Sequence, residues 1–347
     1  MNSELKKIAY IELDTHAEIA LNFMELMNDS NEFSMNYYFS EKILKTLGLQ
    51  ETENIKKTTP ETINHQLSII NYDLVILGTV HRYFNVFEEI AEKFNTSIIC
   101  HNLNFVKVSN FDLLTSIFKE DFKFRLKLLL KEGLLRKSNV YKKAKNLLVL
   151  DENLAKENYK TLPIFYSKFS SNSENEIFTI VIPGAVSHKR RDYFSVIKKL
   201  KNLKIEKFEI IFLGKASGKE LEKLQNFERN KPENISIKYF KNKVSQSEFD
   251  ELMKKANILW CPIQQKTEFF SQKEIYGITK MSGNIGDAIK YSKTAIFPEN
   301  YPSKYPFIIH EKGNLEDFLF VKKEINFSDF SKEKVLKQLE TTIFALL

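Results

Sequence analysis

Three consecutive cations, Lys189, Arg190 and Arg191, follow an apolar run (Ile177 to Ile182) and the break Pro183-Gly184. Side chains of this kind bind phosphate, and arginine does so with a fork that matches two oxygens at once. The apolar run reads as a buried strand, and Tyr193, Phe194, Ile197 and Leu200 then recur at roughly helical spacing. The cations therefore lie where a strand ends and a helix begins. In an open parallel sheet that edge binds ligands, and free backbone N–H groups there favour an anion. A second stretch, Tyr276 to Pro298, holds Gly277, Gly283 and Gly286, three of only 10 glycines in the chain, so backbone can approach a ligand closely there. Paired across a cleft, the two stretches suit a diphosphate. Gly184, Lys189, Arg190 and Arg191 would form one wall, and Lys280, Ser282 and Gly283 the other.

Histidine marks a third group. His16, His81 and His101 each follow an expected strand of the first half, and His188 does so in the second. A single histidine in such a place is usually a hydrogen-bonded loop residue. Three on one edge of one sheet face a shared cleft. Imidazole titrates near neutral pH and can take a hydroxyl proton, which singles out His16; Asp14 could do this instead, or orient the ring.

Other chemistry finds less support. Gly214-Lys215-Ala216-Ser217-Gly218-Lys219 resembles a phosphate loop but is one residue short between its glycines. Glu220 also stands where Ser or Thr should hold magnesium. No Asp-x-Asp pair or His/Cys/Asp cluster has metal-ligand spacing, so neither a metal nor another cofactor is expected. Cys100 and Cys261 lie far apart in apolar segments, as buried thiols would.

The elements that must position these residues alternate strand and helix. Strands are expected over Ile8 to Leu13, Met35 to Phe39, Asp73 to Leu77, Ser97 to Cys100 and Asn146 to Leu150. Helices are expected over Ala17 to Met27, Lys42 to Leu47, Pro60 to Ile70 and Tyr83 to Phe94. Beyond the polar stretch Ser167 to Glu176 the rhythm resumes, with strands at Ile177 to Ile182, Phe208 to Leu213, Ile235 to Tyr239, Ile258 to Trp260 and Thr294 to Phe297. This predicts an α/β protein of two doubly wound, Rossmann-like domains in tandem with a cleft between them. The divisions expected are residues 1–167, a linker at 168–176, a second domain at 177–325 and a C-terminal helix at 326–347. Phe111 to Lys145 breaks the rhythm and reads as one helical stretch rich in Lys, Arg, Leu and Phe. It either packs its leucines on the first domain or, over Phe118 to Lys145, sits on an anionic membrane surface.

A formal net charge of +7 favours acidic partners without selecting one. The basic residues are not interleaved with aromatics in any nucleic-acid module, so nucleic acid is not an expected partner. The charged N-terminus runs straight into a strand, unlike a signal peptide, and a cytoplasmic protein, peripheral on the inner face of the membrane, is expected.

The second half resembles the nucleotide-binding half of GT-B glycosyltransferases, especially the retaining group with an E-x7-E pattern. V-I-P-G-A-V-S-H-K-R-R-D-Y is similar to that family's diphosphate loop, and F-E-I-I-F-L-G to its next strand and glycine turn. D-A-I-K-Y-S-K-T-A-I-F-P resembles its Glu-Ala segment, with Asp287 at the second glutamate, a ribose-binding position. Thr279 stands at the first glutamate and Ala185 at the loop arginine, whose role would pass to Arg190 or Arg191. The resemblance implies a glycosyltransferase that moves a sugar from a nucleotide diphosphate to a glycan or lipid-linked acceptor, without a metal. His101, and less directly His81, would line the sugar pocket. A nucleotide-sugar epimerase of the same fold, or a non-catalytic protein with a degenerate site recruited to membranes, are the alternatives.

Overall fold

From Ile8 onward every residue of β1 (Lys6–Glu12) is buried, because parallel neighbours and helices cover it on all sides. The computed structural model describes residues 5–156, 158–169, 176–201, 203, 207–313 and 325–347. The first sheet also contains β2 (Phe33–Phe39), β3 (Ile55–Lys57), β4 (Leu74–Leu77), β5 (Thr96–Ile99), β6 (Asn146–Val149) and β7 (Lys160–Thr161). Its order is β3-β2-β1-β4-β5-β6-β7, with every pair parallel. The helices of this half are α1 (Ala17–Met27), α2 (Glu41–Leu47), α3 (Ile63–Ser68), α4 (Phe84–Lys93), α5 (Leu103–Lys107), α6 (Asn110–Ser116), α7 (Phe122–Lys131) and α8 (Lys137–Lys143).

The second sheet has the order β10-β9-β8-β11-β14-β15, again all parallel. Its strands are β8 (Phe178–Pro183), β9 (Phe208–Lys215), β10 (Ile235–Phe240), β11 (Ile258–Trp260), β14 (Ala295–Pro298) and β15 (Ile308–Glu311). Between β11 and β14 the chain forms an antiparallel hairpin, β12 (Lys266–Phe269) with β13 (Gln272–Ile275). The helices are α9 (Tyr193–Lys201), α10 (Gly218–Arg229), α11 (Gln246–Lys255) and α12 (Gly283–Lys290). Two doubly wound domains in tandem are therefore present, as the βα rhythm implied. Each sheet reverses its winding once, between β1 and β4 in the first and between β8 and β11 in the second. Those are the switch points at which open α/β sheets bind ligands.

The final helix, α13 (Lys332–Phe344), returns to the first domain. Val335, Leu339 and Ile343 are buried in the core cluster of β1, β2 and α1, and Glu340 accepts a hydrogen bond from Ser30. Ser331 caps the helix by accepting a hydrogen bond from the Lys334 amide.

Phe111 to Lys145 is not one helix. The chain turns left-handed at Asp121 (φ 48°) and Gly133 (φ 70°), which breaks it into α6, α7, a single 3-10 turn and α8. Leu113, Leu128 and Leu134 are buried in the first-domain core, as the packing reading expects, whereas Lys137 of α8 is buried with them rather than solvated. The expected helix Pro60 to Ile70 is shorter, Ile63–Ser68. Of the expected linker, Lys168 and Phe169 donate their backbone N–H groups to the Lys290 carbonyl, while 170–175 lie outside the described residues. Cys100 and Cys261 are free and buried, and burial pushes both thiols above their ordinary range.

Candidate active site

The second-domain wall is built on β8. The strand ends at Pro183, and Gly184 turns with φ 100°, which a side chain would oppose. Gly214, at the end of β9, lies so close beneath that any Cβ there would run into the Gly184 carbonyl. The half-helical turn that follows folds Arg191 back over Gly184. Its guanidinium donates to the Ala185 carbonyl (3.2 Å) and the Asn284 side-chain oxygen (3.4 Å). Nε of Arg191 is buried and has no partner among the described residues. Lys189 and Arg190 remain exposed. His188 is directed elsewhere: its ring packs edge-to-face on Phe194 at 4.5 Å in a small recess between α9 and α10.

α12 aims at the same place. Ser282 caps it by accepting the Asn284 amide (3.4 Å), and Gly283 is exposed, with open space where a side chain would be. Asn284 ties the wall together, since its amide donates to Asp287 (3.1 Å) while its oxygen receives Arg191. Asp287 is held by burial at about 6, above the ordinary range, although Asn284 and Arg191 act to lower it. The charge of Glu18 on α1 pushes it up further.

On the first-domain wall the three histidines do converge. The His16 ring stacks on His101 at 3.9 Å, and His81 lies 6.3 and 5.9 Å from the two. His16 begins α1 in a left-handed conformation (φ 58°). His101 Nε2 is 2.8 Å from the Gly78 carbonyl. Burial, followed by the charge of His16, holds His81 and His101 well below the ordinary imidazole value, so both are neutral at neutral pH. A neutral ring bonded to a carbonyl carries its proton on that nitrogen, which leaves Nδ1 of His101 as the free acceptor.

Asp14 is committed to two cations. Its carboxylate bonds Lys42 (3.2 Å) and Arg82 (3.3 Å), and Arg82 in turn makes a fork to Glu132 at 3.0 and 2.7 Å. Below His16 lies a residue that the sequence did not single out. Glu12 is 1% exposed and accepts hydrogen bonds from Thr79 Oγ1 (2.6 Å) and from the Asp14 and Thr15 amides (3.2 Å each). Burial raises it to about 7 against those bonds.

Three further unanticipated residues close the two walls on each other. Lys280 reaches Asn102 Oδ1 at 2.6 Å, and Asn102 Nδ2 is 3.3 Å from His81 Nε2. The β12–β13 hairpin carries the fully buried Glu274 to the start of α5, where its carboxylate accepts the Phe105 amide (2.9 Å) and the Asn104 amide (3.3 Å). Phe269 at the hairpin tip packs on His81 (4.4 Å) and Phe105 (5.0 Å). Nothing in the sequence marks the hairpin, Asn102 or Glu274 as bridges between the walls.

Among the described residues no group of three or more His, Cys, Asp or Glu is arranged to hold a metal ion. No family model and no curated protein matches the sequence. Solved structures do. A glycosyltransferase from Rickettsia africae is similar with TM-score 0.58 at 8% identity, over 99% of both chains. The pneumococcal O-GlcNAc transferase GtfA, solved with UDP and GlcNAc, is similar with TM-score 0.55 at 10% identity, again over 99% of both chains. The fold is therefore GT-B, with the cleft between its two Rossmann-like domains.

Proposed function

We propose that this protein is a glycosyltransferase that moves a sugar from a nucleotide diphosphate to a glycan or lipid-linked acceptor. The observation that carries the reading is that both topological switch points open on one cleft, one lined by cations and the other by imidazoles. The donor diphosphate would lie between the Gly184–Arg191 turn and the start of α12, held by Arg190, Arg191, Lys280, Ser282 and the Gly283 amide, with Lys189 at the rim. Asp287 would take a ribose hydroxyl. His16, His81 and His101 would line the sugar and acceptor pocket. Catalysis then consists of positioning plus stabilisation of charge on the departing diphosphate by fixed cations, without a metal. We take the reaction to retain the anomeric configuration and to run in the cytoplasm.

A thermal-shift panel of nucleoside diphosphates and nucleotide sugars tests this, beginning with UDP, the nucleotide of the pneumococcal complex. A ligand at about 100 times its dissociation constant stabilises by roughly 2.7 kcal/mol. The reading requires at least one such shift, lost in Arg191→Ala. A panel without any shift would overturn it. Incubating the bound nucleotide sugar without acceptor separates the epimerase alternative, which would change the sugar and leave the nucleotide linkage whole.

A further inference from the structure

We infer that the exposed surface of α6 and α7 seats this protein on an anionic lipid bilayer, beside the mouth of the histidine pocket. A surface helix of a water-soluble domain buries its apolar stripe. α7 does so only in part: Arg125 and Leu128 are buried and Leu129 packs beside them, while Phe122, Phe124 and Leu130 are 46%, 43% and 73% exposed.

The exposed face is ordered. Phe122, Leu126 and Leu130 recur every four residues and form one stripe, exposed at Phe122 and Leu130 and half-buried at Leu126, and the exposed Lys123, Lys127 and Lys131 form the stripe beside it. Phe111 and Phe118, on α6 and the loop that follows, are 74% and 78% exposed, and the Phe118 ring lies 5.7 Å from Phe122. Most acidic groups nearby are already engaged. Asp112 accepts from Ser109, Glu120 pairs with Arg125, and Glu132 holds Arg82 and pairs with Lys127 of the lysine stripe (3.7 Å), which leaves Asp121 as the exception.

Adjacent apolar and lysine stripes fit a bilayer interface, where rings and leucines enter the acyl boundary and ammonium groups meet phosphates in any register. The helix is held in this orientation from the second domain. The Arg125 guanidinium donates to the Ser116 carbonyl and to Ser271 Oγ (2.8 Å), and lies 5.0 Å from the Phe270 ring at the tip of the β12–β13 hairpin. Arg82 joins the patch to the pocket, with its guanidinium 6.0 Å from the Phe124 ring and 3.3 Å from Asp14, two residues before His16. A lipid-linked acceptor held in that bilayer would present its head group to the pocket; this last step rests on the transferase reading, whereas the docking surface does not.

Co-sedimentation of the full chain with vesicles tests the surface. One set contains phosphatidylglycerol in phosphatidylcholine and the other phosphatidylcholine alone. Binding is expected to the anionic vesicles only at low salt, and to fall as salt shortens the screening length to about 3 Å near 1 M. The triple variant Lys123→Gln, Lys127→Gln, Lys131→Gln should bind them at least about tenfold more weakly. Phe118→Ser with Leu130→Ser should lower binding at every salt concentration. All five positions are exposed, and an unchanged unfolding midpoint confirms that the variants are folded. Equal binding to both vesicle types, no binding to either, or a triple variant that binds like the parent would each overturn the inference. So would a parent whose patch only pairs with a second copy of itself in sedimentation velocity. Nucleotide shifts measured on the same samples test the donor site separately.

Discussion

The Lys280 ammonium stands 2.6 Å from Asn102 Oδ1, and that bond fixes the proton polarity of the first-domain wall. An ammonium can only donate, so the Asn102 oxygen must face it and the amide nitrogen must face His81 Nε2. His81 is thereby the acceptor, with its proton on Nδ1. Asn102→Asp would place a carboxylate between the two bases. Nitrogen NMR titration should then show the His81 pKa rising from its depressed value toward or above the ordinary one. An unmoved titration would mean that burial alone sets it.

The glycines of the donor wall should separate by mechanism. Gly214→Ala drives a methyl group into the Gly184 turn, so it should weaken nucleotide binding about tenfold or more and cost about 1–3 kcal/mol by overpacking. Gly283→Ala meets nothing within 4 Å, so its unfolding midpoint should stay within the range of the parent. Nucleotide affinity measured by calorimetry should nevertheless fall if the phosphate approaches that amide.

Glu12 makes stability depend on pH in a direction opposite to the usual carboxylate. Its folded-state value, about 7, exceeds the unfolded one of 4.5. The native protein therefore keeps a proton that the unfolded chain has lost, and stability from this group is full below about 4.5 and falls as pH rises toward 7. At about 1.4 kcal/mol per unit, the loss is of order 3 kcal/mol. The neutral His81 and His101 act the other way, losing stability as pH falls below about 6.5. Denaturant melts of Glu12→Gln and the parent isolate the carboxyl: the variant should gain on the parent between pH 4.5 and 7, and a constant difference would exclude burial as the cause.

His16→Asn keeps a residue that tolerates the left-handed start of α1. Retention predicts a product anomer like the donor's and a modest loss of turnover from lost positioning, with nucleotide affinity intact. A loss of about a hundredfold to ten-thousandfold with an inverted anomer would instead make His16 the base.

What the sequence showed and what it hid follow one physical line. Strands such as β1, β4 and β8 are continuous apolar runs because both faces are covered, so they and the residues at their ends were legible. The three histidines and the Gly184 turn were found by their place after such runs. The β12–β13 hairpin was not, because its left-handed positions are Phe270 (φ 52°) and Ser271 (φ 56°) rather than the Asn or Gly that announce a tight turn. β3, β7 and β15 are short edge strands with little pattern of their own. Asp14 illustrates the other limit: sequence puts it two residues from His16, but only the fold reveals Arg82 and Lys42 competing for its carboxylate. Arg191 could be told from its exposed neighbours only by tertiary closure over Gly184.

The return of α13 to the first domain has a consequence for biosynthesis. Ser30 and Glu340 are 310 residues apart in sequence yet hydrogen-bonded. On the ribosome, the faces of β1, β2 and α1 that α13 covers must wait, exposed, while the whole second domain is made. At about 5–20 residues per second that interval lasts on the order of 15–60 s. The first domain is thus the earlier to begin folding and the later to finish, and an interrupted chain would carry an open apolar face into the hands of chaperones.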